Sequence, residues 1–160
     1  MIYYDQNNIV VRRSVKSDIA ALKDNLKESD VHEIWASHHH TPEEALKGCV
    51  EKAIISMTII VDGKIVAIFG IDTDKILGKT ASVWMLSTGE IEKIKRRIVR
   101  HSRAFINHFL EFYPYLDNYV HSLNKESIAW LKFCGATIEE AKPFGIEQEP
   151  FHHFYFRRKI

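Results

Sequence analysis

Three places in the chain gather residues that could do chemistry. In the first, Tyr119, His121 and Leu123 alternate with Asn118, Val120 and Ser122, the period of a strand. Asn124 follows, where a side-chain oxygen can cap a helix. Histidine exchanges its proton near neutrality, so His121 could serve as a general base. The second place is Ser87-Thr88-Gly89-Glu90-Ile91-Glu92-Lys93-Ile94-Lys95. The segment reads either as an ordinary capped helix start or as an anion site, where free N–H groups and the positive end of a helix dipole favour a negative charge. Glu90 and Glu92 complement the dipole but repel an anion, and Lys93, Lys95 and Arg96 offset them if they face it. The third is His38-His39-His40, with His152-His153 further on. Three consecutive residues cannot easily aim at one ion, and no paired His/Cys spacing accompanies them, so a solvated turn and no metal are expected.

The elements that must position these groups are readable in outline. Residues 9–12 suit a first strand, and Ser17 can cap a helix carrying Ile19, Leu22 and Leu26. Ser29 or Asp30 caps a second short helix with Val31, Ile34 and Trp35. Thr41-Pro42-Glu43-Glu44 is a strong helix start: a capping hydroxyl, proline at the first position, glutamate three residues after the cap. Residues 54–61 and 64–71 are β-branched runs joined at Asp62-Gly63, a hairpin signal. Residues 82–86 make a fourth strand. Ile91, Ile94, Ile98, Phe105, Phe109 and Phe112 mark a long helix that stops before Pro114. Residues 118–123 form a fifth strand, followed by a helix that carries Ile128, Trp130, Leu131 and Cys134 and ends at Gly135. Pro143 and Gly145 mark a surface excursion before a last strand over 151–158. Trp35, Trp84 and Trp130 are expected in the core, and Arg96, Arg100 and Arg103 on a solvated helix face. A tight hairpin followed by a strand–helix–strand crossover implies an α/β (α+β) mixed sheet with helices on its faces.

A chain of 160 residues suits one domain, 1–160, with a real core. Apolar residues at 46% and charged residues at 27% are ordinary for a globular protein. A formal charge of +1 offers no field that argues for nucleic acid or an anionic membrane as main partner. No apolar run approaches the roughly 20 residues of a membrane helix. The N-terminus lacks the regions of a signal peptide, and Cys49 and Cys134 sit beside apolar neighbours. Packed, reduced thiols in the cytoplasm are the expectation.

Asn124-x-x-Ser127-Ile128-x-Trp130-Leu131-x-x-x-Gly135-Ala136 resembles the C-terminal motif of the GCN5-related N-acetyltransferase (GNAT) superfamily. Arg12 followed by Asp18 resembles its N-terminal signature, and the hairpin at Asp62-Gly63-Lys64 its link between strands two and three. A narrower likeness is to a small tailed-bacteriophage family that includes internal virion (core) protein A. It is carried by Asp30-x-x-Glu33, Ala67-x-Phe69-Gly70, Trp84-x-Leu86-x-Thr88, Arg100-His101-Ser102-Arg103-Ala104 and Tyr113-Pro114-Tyr115-Leu116-x-Asn118-Tyr119-Val120. Pro143-Phe144-Gly145 and Pro150-Phe151-His152-x-Phe154 belong to the same pattern.

The resemblance implies a GNAT-like, mostly antiparallel sheet whose fourth and fifth strands splay apart, with acetyl-CoA in the cleft between them. It places the pantetheine arm against Val83, Trp84, Met85 and Leu86, and the diphosphate near Thr88 and Gly89, with Asn124 near the ligand. An amine would attack directly, and Glu33, on the short helix over the substrate side, or His121 would take its proton. Many members protonate the leaving thiolate with a tyrosine seven residues after the motif asparagine; Leu131 stands there here. The alternative implied by the phage likeness is a catalytically degenerate virion or assembly protein, located in the host cytoplasm or the virion and partnered by virion proteins. A homodimer is left open by the sequence.

Overall fold

The computed structural model describes residues 2–74 and 78–160. Eight strands form one sheet in the order β1-β2-β3-β4-β5-β6-β8-β7. The strands are β1 (Ile2–Gln6), β2 (Ile9–Arg13), β3 (Ala53–Val61), β4 (Lys64–Asp72), β5 (Thr80–Ser87), β6 (Tyr115–His121), β7 (Thr137–Phe144) and β8 (Glu149–Arg157). The helices are α1 (Ser17–Leu22), α2 (Glu28–His38), α3 (Pro42–Lys52), α4 (Lys95–Phe112) and α5 (Lys125–Cys134). Every pairing is antiparallel except β5 with β6, which are joined through α4 as a parallel crossover.

The two sheet faces are covered by different helices. Ile98, Phe105, Ile106 and Phe109 of α4 and Trp130 and Leu131 of α5 pack with Met57, Phe69, Val83, Met85, Leu116 and Phe154. On the other face Ile19 and Leu22 of α1 and Leu46 of α3 pack with Ile68, and Trp84 and Leu86 lean on that cluster. Successive β5 residues therefore feed opposite cores, as the two-residue period requires.

Local signals in the sequence explain several of these elements. Asp62 and Gly63 both have positive φ, at 49° and 77°, which a tight hairpin turn with matching twist demands. Thr41 and Glu44 close a complete capping box at the start of α3. Asn124 Oδ1 accepts from the Ser127 N–H, and Gly135, at φ 96°, ends α5. Arg12 reaches Asp18 with two guanidinium nitrogens, each at 2.8 Å, and the Val15 N–H and Thr58 hydroxyl complete the carboxylate's shell. Burial alone would raise the Asp18 pKa. These four bonds outweigh it and hold the carboxyl below its usual range.

Other expectations are corrected. Ser17 lies inside α1 rather than capping it, and Lys16 precedes it without a side-chain cap. Neither Ser29 nor Asp30 caps α2, which begins at Glu28, because Asp30 turns inward to bind the sheet. Leu26 is not on a helix but bridges to Thr88. The long helix starts at Lys95, after a 3-10 turn over Gly89–Ile94. Strand β6 ends at His121, leaving Leu123 75% exposed, and Trp35 is 52% exposed, stacked on His39 rather than in the core. Two strands, β1 and β7, lie where loops or nothing were expected. Both are edge strands, and β7 is exposed along nearly its whole length, so neither shows the apolar alternation that marks a half-buried strand.

Candidate functional site

Strands β5 and β6 pair only through Thr80, Ala81 and Ser82, against Tyr115, Leu116 and Asp117. Beyond that point they part. Asn118 Nδ2 still reaches across to the Val83 carbonyl at 2.9 Å, and after it no β5–β6 ladder continues. The outward edge of β5 is fixed by alternation. Val83 O meets β6, Ser87 presents its N–H to Asp30 Oδ2 and its C=O to the Lys27 N–H, and Thr88 turns the opposite way to Val66. Met85, midway between Val83 and Ser87, therefore points its N–H and C=O into the opening. A cavity of about 500 Å³ occupies this region, lined by Val83, Trp84, Met85 and Leu86, and also by Asp30 and Glu33.

Helix α2 spans the opening. Asp30 and Glu33 are one turn apart and hold its two sides. Asp30 binds the end of β5, while Glu33 Oε1 accepts from the His121 N–H and from Asn124 Nδ2, both at 2.9 Å, at the end of β6. Glu33 Oε2 has no hydrogen-bond partner among the described residues. Burial pushes the Glu33 carboxyl up to about 7, against the two hydrogen bonds that favour its anion. Burial likewise raises Asp30 to about 6, opposed by Lys27 at 3.7 Å and the Ser87 bonds. A carboxyl that titrates near neutrality in a cleft is suited to taking a proton.

The remaining expected site residues fall in different places. Asn124 is buried, serving both the α5 cap and Glu33. The His121 ring is 2% exposed and does not line the cavity. Its Nε2 bonds Glu149 Oε2 at 2.5 Å, its Nδ1 accepts from the Leu123 N–H, and it packs edge-on to Phe151. Thr88 Oγ1 accepts from the Glu90 N–H, capping the 3-10 turn. Around Gly89 a Cβ would meet nothing within 4 Å. Thr88 and Gly89 lie beyond the cavity lining, and Glu90 and Glu92 are paired with Lys93 and Lys95.

His32, His121 and Glu149 form the one metal-type cluster among the described residues. A ring bound to an ion through Nε2 carries its proton on Nδ1. The Leu123 N–H donates to that nitrogen in His121, so Nε2 is the protonated atom and donates to Glu149. The cluster is a hydrogen-bonded triad: Glu149 Oε2 also meets His32 Nε2 at 2.7 Å, and both histidines hold the Glu149 carboxyl below its usual range. The His38 and His40 rings stack at 5.6 Å, while His39 takes the left-handed C-cap position of α2 and bonds Glu147.

Two contributors to the site are not among the site residues expected from the sequence. Asp30 carried a signal in its spacing from Glu33, since acids three apart share a helix face. Arg97, which lines the cavity, carried none, because it is one of several arginines on α4.

Comparison with known proteins places this geometry. The family model described as "Bacteriophage T7, probable scaffold protein Gp13" matches residues 55–141, more than half of the chain. Among solved structures, a ribosomal-protein-S5-alanine acetyltransferase from Vibrio fischeri superposes with a TM-score of 0.68 at 16% identity, over 96% of this chain and 95% of that one. A GNAT-family acetyltransferase from Bacillus anthracis gives 0.68 at 13% identity, covering 98% of each chain. A spermidine N-acetyltransferase from Vibrio cholerae, solved with CoA and spermine, gives 0.63 at 11%, covering 95% and 96%. The fold is thus of GNAT type. No curated protein matches the sequence significantly.

Proposed function

We propose, from the premise that this chain belongs to the family described as "Bacteriophage T7, probable scaffold protein Gp13", that it is a phage-encoded N-acyltransferase using acetyl-CoA and an amine. The observation that carries the reading is the opening between β5 and β6, with the Met85 N–H and C=O facing it and the Glu33 carboxyl beside it. The residues fit the donor at its pantetheine end. An extended amide chain can pair with Met85 as a strand would, between Val83 and Leu86, while Trp84 packs from the other face.

Bound there, acetyl-CoA supplies a thioester whose acyl carbon an amine nitrogen can attack. Glu33 takes the proton released from that nitrogen, on Oε2, while Oε1 stays fixed by His121 N and Asn124. Asn124 is thereby a positioning residue for Glu33 as well as a helix cap. Leu131 lines the cavity and has no proton to give, so a leaving thiolate would take its proton from solvent. The His121 ring is tied to Glu149 and supports the end of β6. The protein acts as one domain in the host cytoplasm.

Titration of the full chain with acetyl-CoA, followed by heat or by melting temperature, tests this. Saturable micromolar binding supports the reading, and no binding at millimolar ligand refutes it. A second reading, a virion or assembly protein that keeps the fold without the chemistry, is favoured by the family match and by the glycine-poor turn at Gly89–Ile94. In that case phage lacking the gene gives defective particles that Glu33→Gln protein rescues fully.

A further inference from the structure

The turn that opens α4 is poorly built for phosphate. It is a short 3-10 segment, its Glu90 N–H is used by Thr88, its lysine, Lys93, is occupied by Glu90, and Lys95 just beyond it by Glu92. One turn further on the chemistry changes. Arg96, Arg97 and Arg100 are exposed, and no carboxylate pairs with any of them among the described residues. From Lys95 to Leu110 helix α4 carries no acidic residue. Arg103, by contrast, is engaged, donating to the Phe133 carbonyl and lying over that ring at 4.4 Å. Arg97 lines the cavity together with Ile98, Ser127 and Trp130, on the α4/α5 side of the β5–β6 opening.

Arg97 at the cavity, with Arg96 and Arg100 near it on the same helix, gives three guanidiniums without counter-charges among the described residues, a set suited to recognising phosphate. Each can fork two N–H groups onto a phosphate, which backbone amides of a glycine loop would otherwise provide. The geometry points to Arg97, flanked by Arg96 and Arg100, as the side-chain clamp that holds the phosphates of the acyl donor, in place of a glycine-rich loop. The inference depends on the acyl-donor reading above. It differs in assigning the anionic end to α4 side chains rather than to the Thr88–Gly89 backbone.

The test is calorimetric titration of the full chain with CoA, with acetyl-pantetheine, which lacks the nucleotide and its phosphates, and with a short DNA duplex. Wild type is compared with Arg97→Gln, with Arg96→Gln/Arg97→Gln/Arg100→Gln, and with Lys142→Gln as a remote charge control. The expected result is CoA affinity lower by at least about tenfold in Arg97→Gln and lower still in the triple variant. Acetyl-pantetheine binding should be unchanged in all, and CoA binding unchanged in the control. Equal CoA affinity in wild type and triple variant, or wild-type affinity for acetyl-pantetheine equal to that for CoA, overturns the clamp and leaves the acyltransferase reading standing. Binding of neither CoA nor acetyl-pantetheine overturns both. DNA binding that disappears in the triple variant, with no CoA binding, also overturns the clamp and reassigns the arginines to nucleic acid.

Discussion

Glu33→Gln should stabilise the protein at alkaline pH while slowing the proposed acyl transfer. The amide keeps an oxygen that can accept from the His121 N–H and from Asn124 Nδ2, so the ties at the end of β6 survive. What disappears is a carboxylate that burial penalises. In the folded protein Glu33 titrates at about 7, against an ordinary 4.5. Between those values the native state holds a proton that the unfolded chain has released. Stability therefore falls as pH rises through this window, by roughly 3 kcal/mol at 1.4 kcal/mol per unit. The variant has no such loss. Urea unfolding of both proteins from pH 4 to pH 9 should give similar stabilities at the acid end. Above about pH 8 the variant should be ahead by roughly 2–3 kcal/mol. If the difference between the two proteins does not change with pH, Glu33 is not a desolvated carboxyl and loses its standing as a base tuned to neutrality. In parallel, acyl transfer by wild type should rise with pH on a limb near 7, and the variant should be slower by about 10²–10⁴-fold.

Asn124→Ala removes both the α5 cap and one hydrogen bond to Glu33. It should cost about 1–2 kcal/mol in chemical unfolding and move the Glu33-dependent limb of the rate profile to higher pH, because a bond that favours the anion is gone. Asp18→Asn breaks the buried Arg12 pair. The loss should be about 2–3 kcal/mol near neutrality and should shrink as pH falls below the ordinary carboxyl range, since a depressed pKa stabilises only where the unfolded group is ionised. Gly70→Ala should destabilise by about 3 kcal/mol or more, because the new Cβ would stand 2.2 Å from the backbone oxygen of Ile55. Its melting temperature should fall well below that of Gly89→Ala, where a Cβ meets open space.

Much of the scaffold was written in local chemistry. Asp62-Gly63, the Thr41 capping box and the Asn124–Gly135 pair each specify their element with residues that are neighbours in sequence. The long-range ties were not legible in that way. Ser29 and Asp30 look alike as caps, and only the approach of Ser87, 57 residues away, turns Asp30 into a sheet anchor. Strand β7 escaped because its register slips between Ile138 and Ala141 and its side chains stay exposed, erasing the period of two. His121 looked like a base because its type suits the task. Its ring orientation, settled by Leu123 and Glu149, could not be read from alternation along a strand. Glu33 was nameable only through the family likeness, and its raised pKa comes from burial, which a sequence does not display.

Helix α2 gives the two proposed functions a common physical basis. Asp30 grips the end of β5 and Glu33 the end of β6, so the width of the cleft is tied to three residues of helix, about 4.5 Å of rise. The same carboxylates that would steer a proton also brace a sheet whose ladder stops after Ser82. Retention of Asp30 and Glu33 in a protein without activity would then need no catalytic explanation. A purely bracing role requires only the oxygens that accept from Ser87 and His121, which asparagine and glutamine supply. A catalytic role requires the ionisable carboxyl of Glu33 itself. The pair Asp30→Asn and Glu33→Gln separates the two. Phage carrying either should assemble normally if bracing is the whole role, and acyl transfer by Glu33→Gln alone should collapse if it is not.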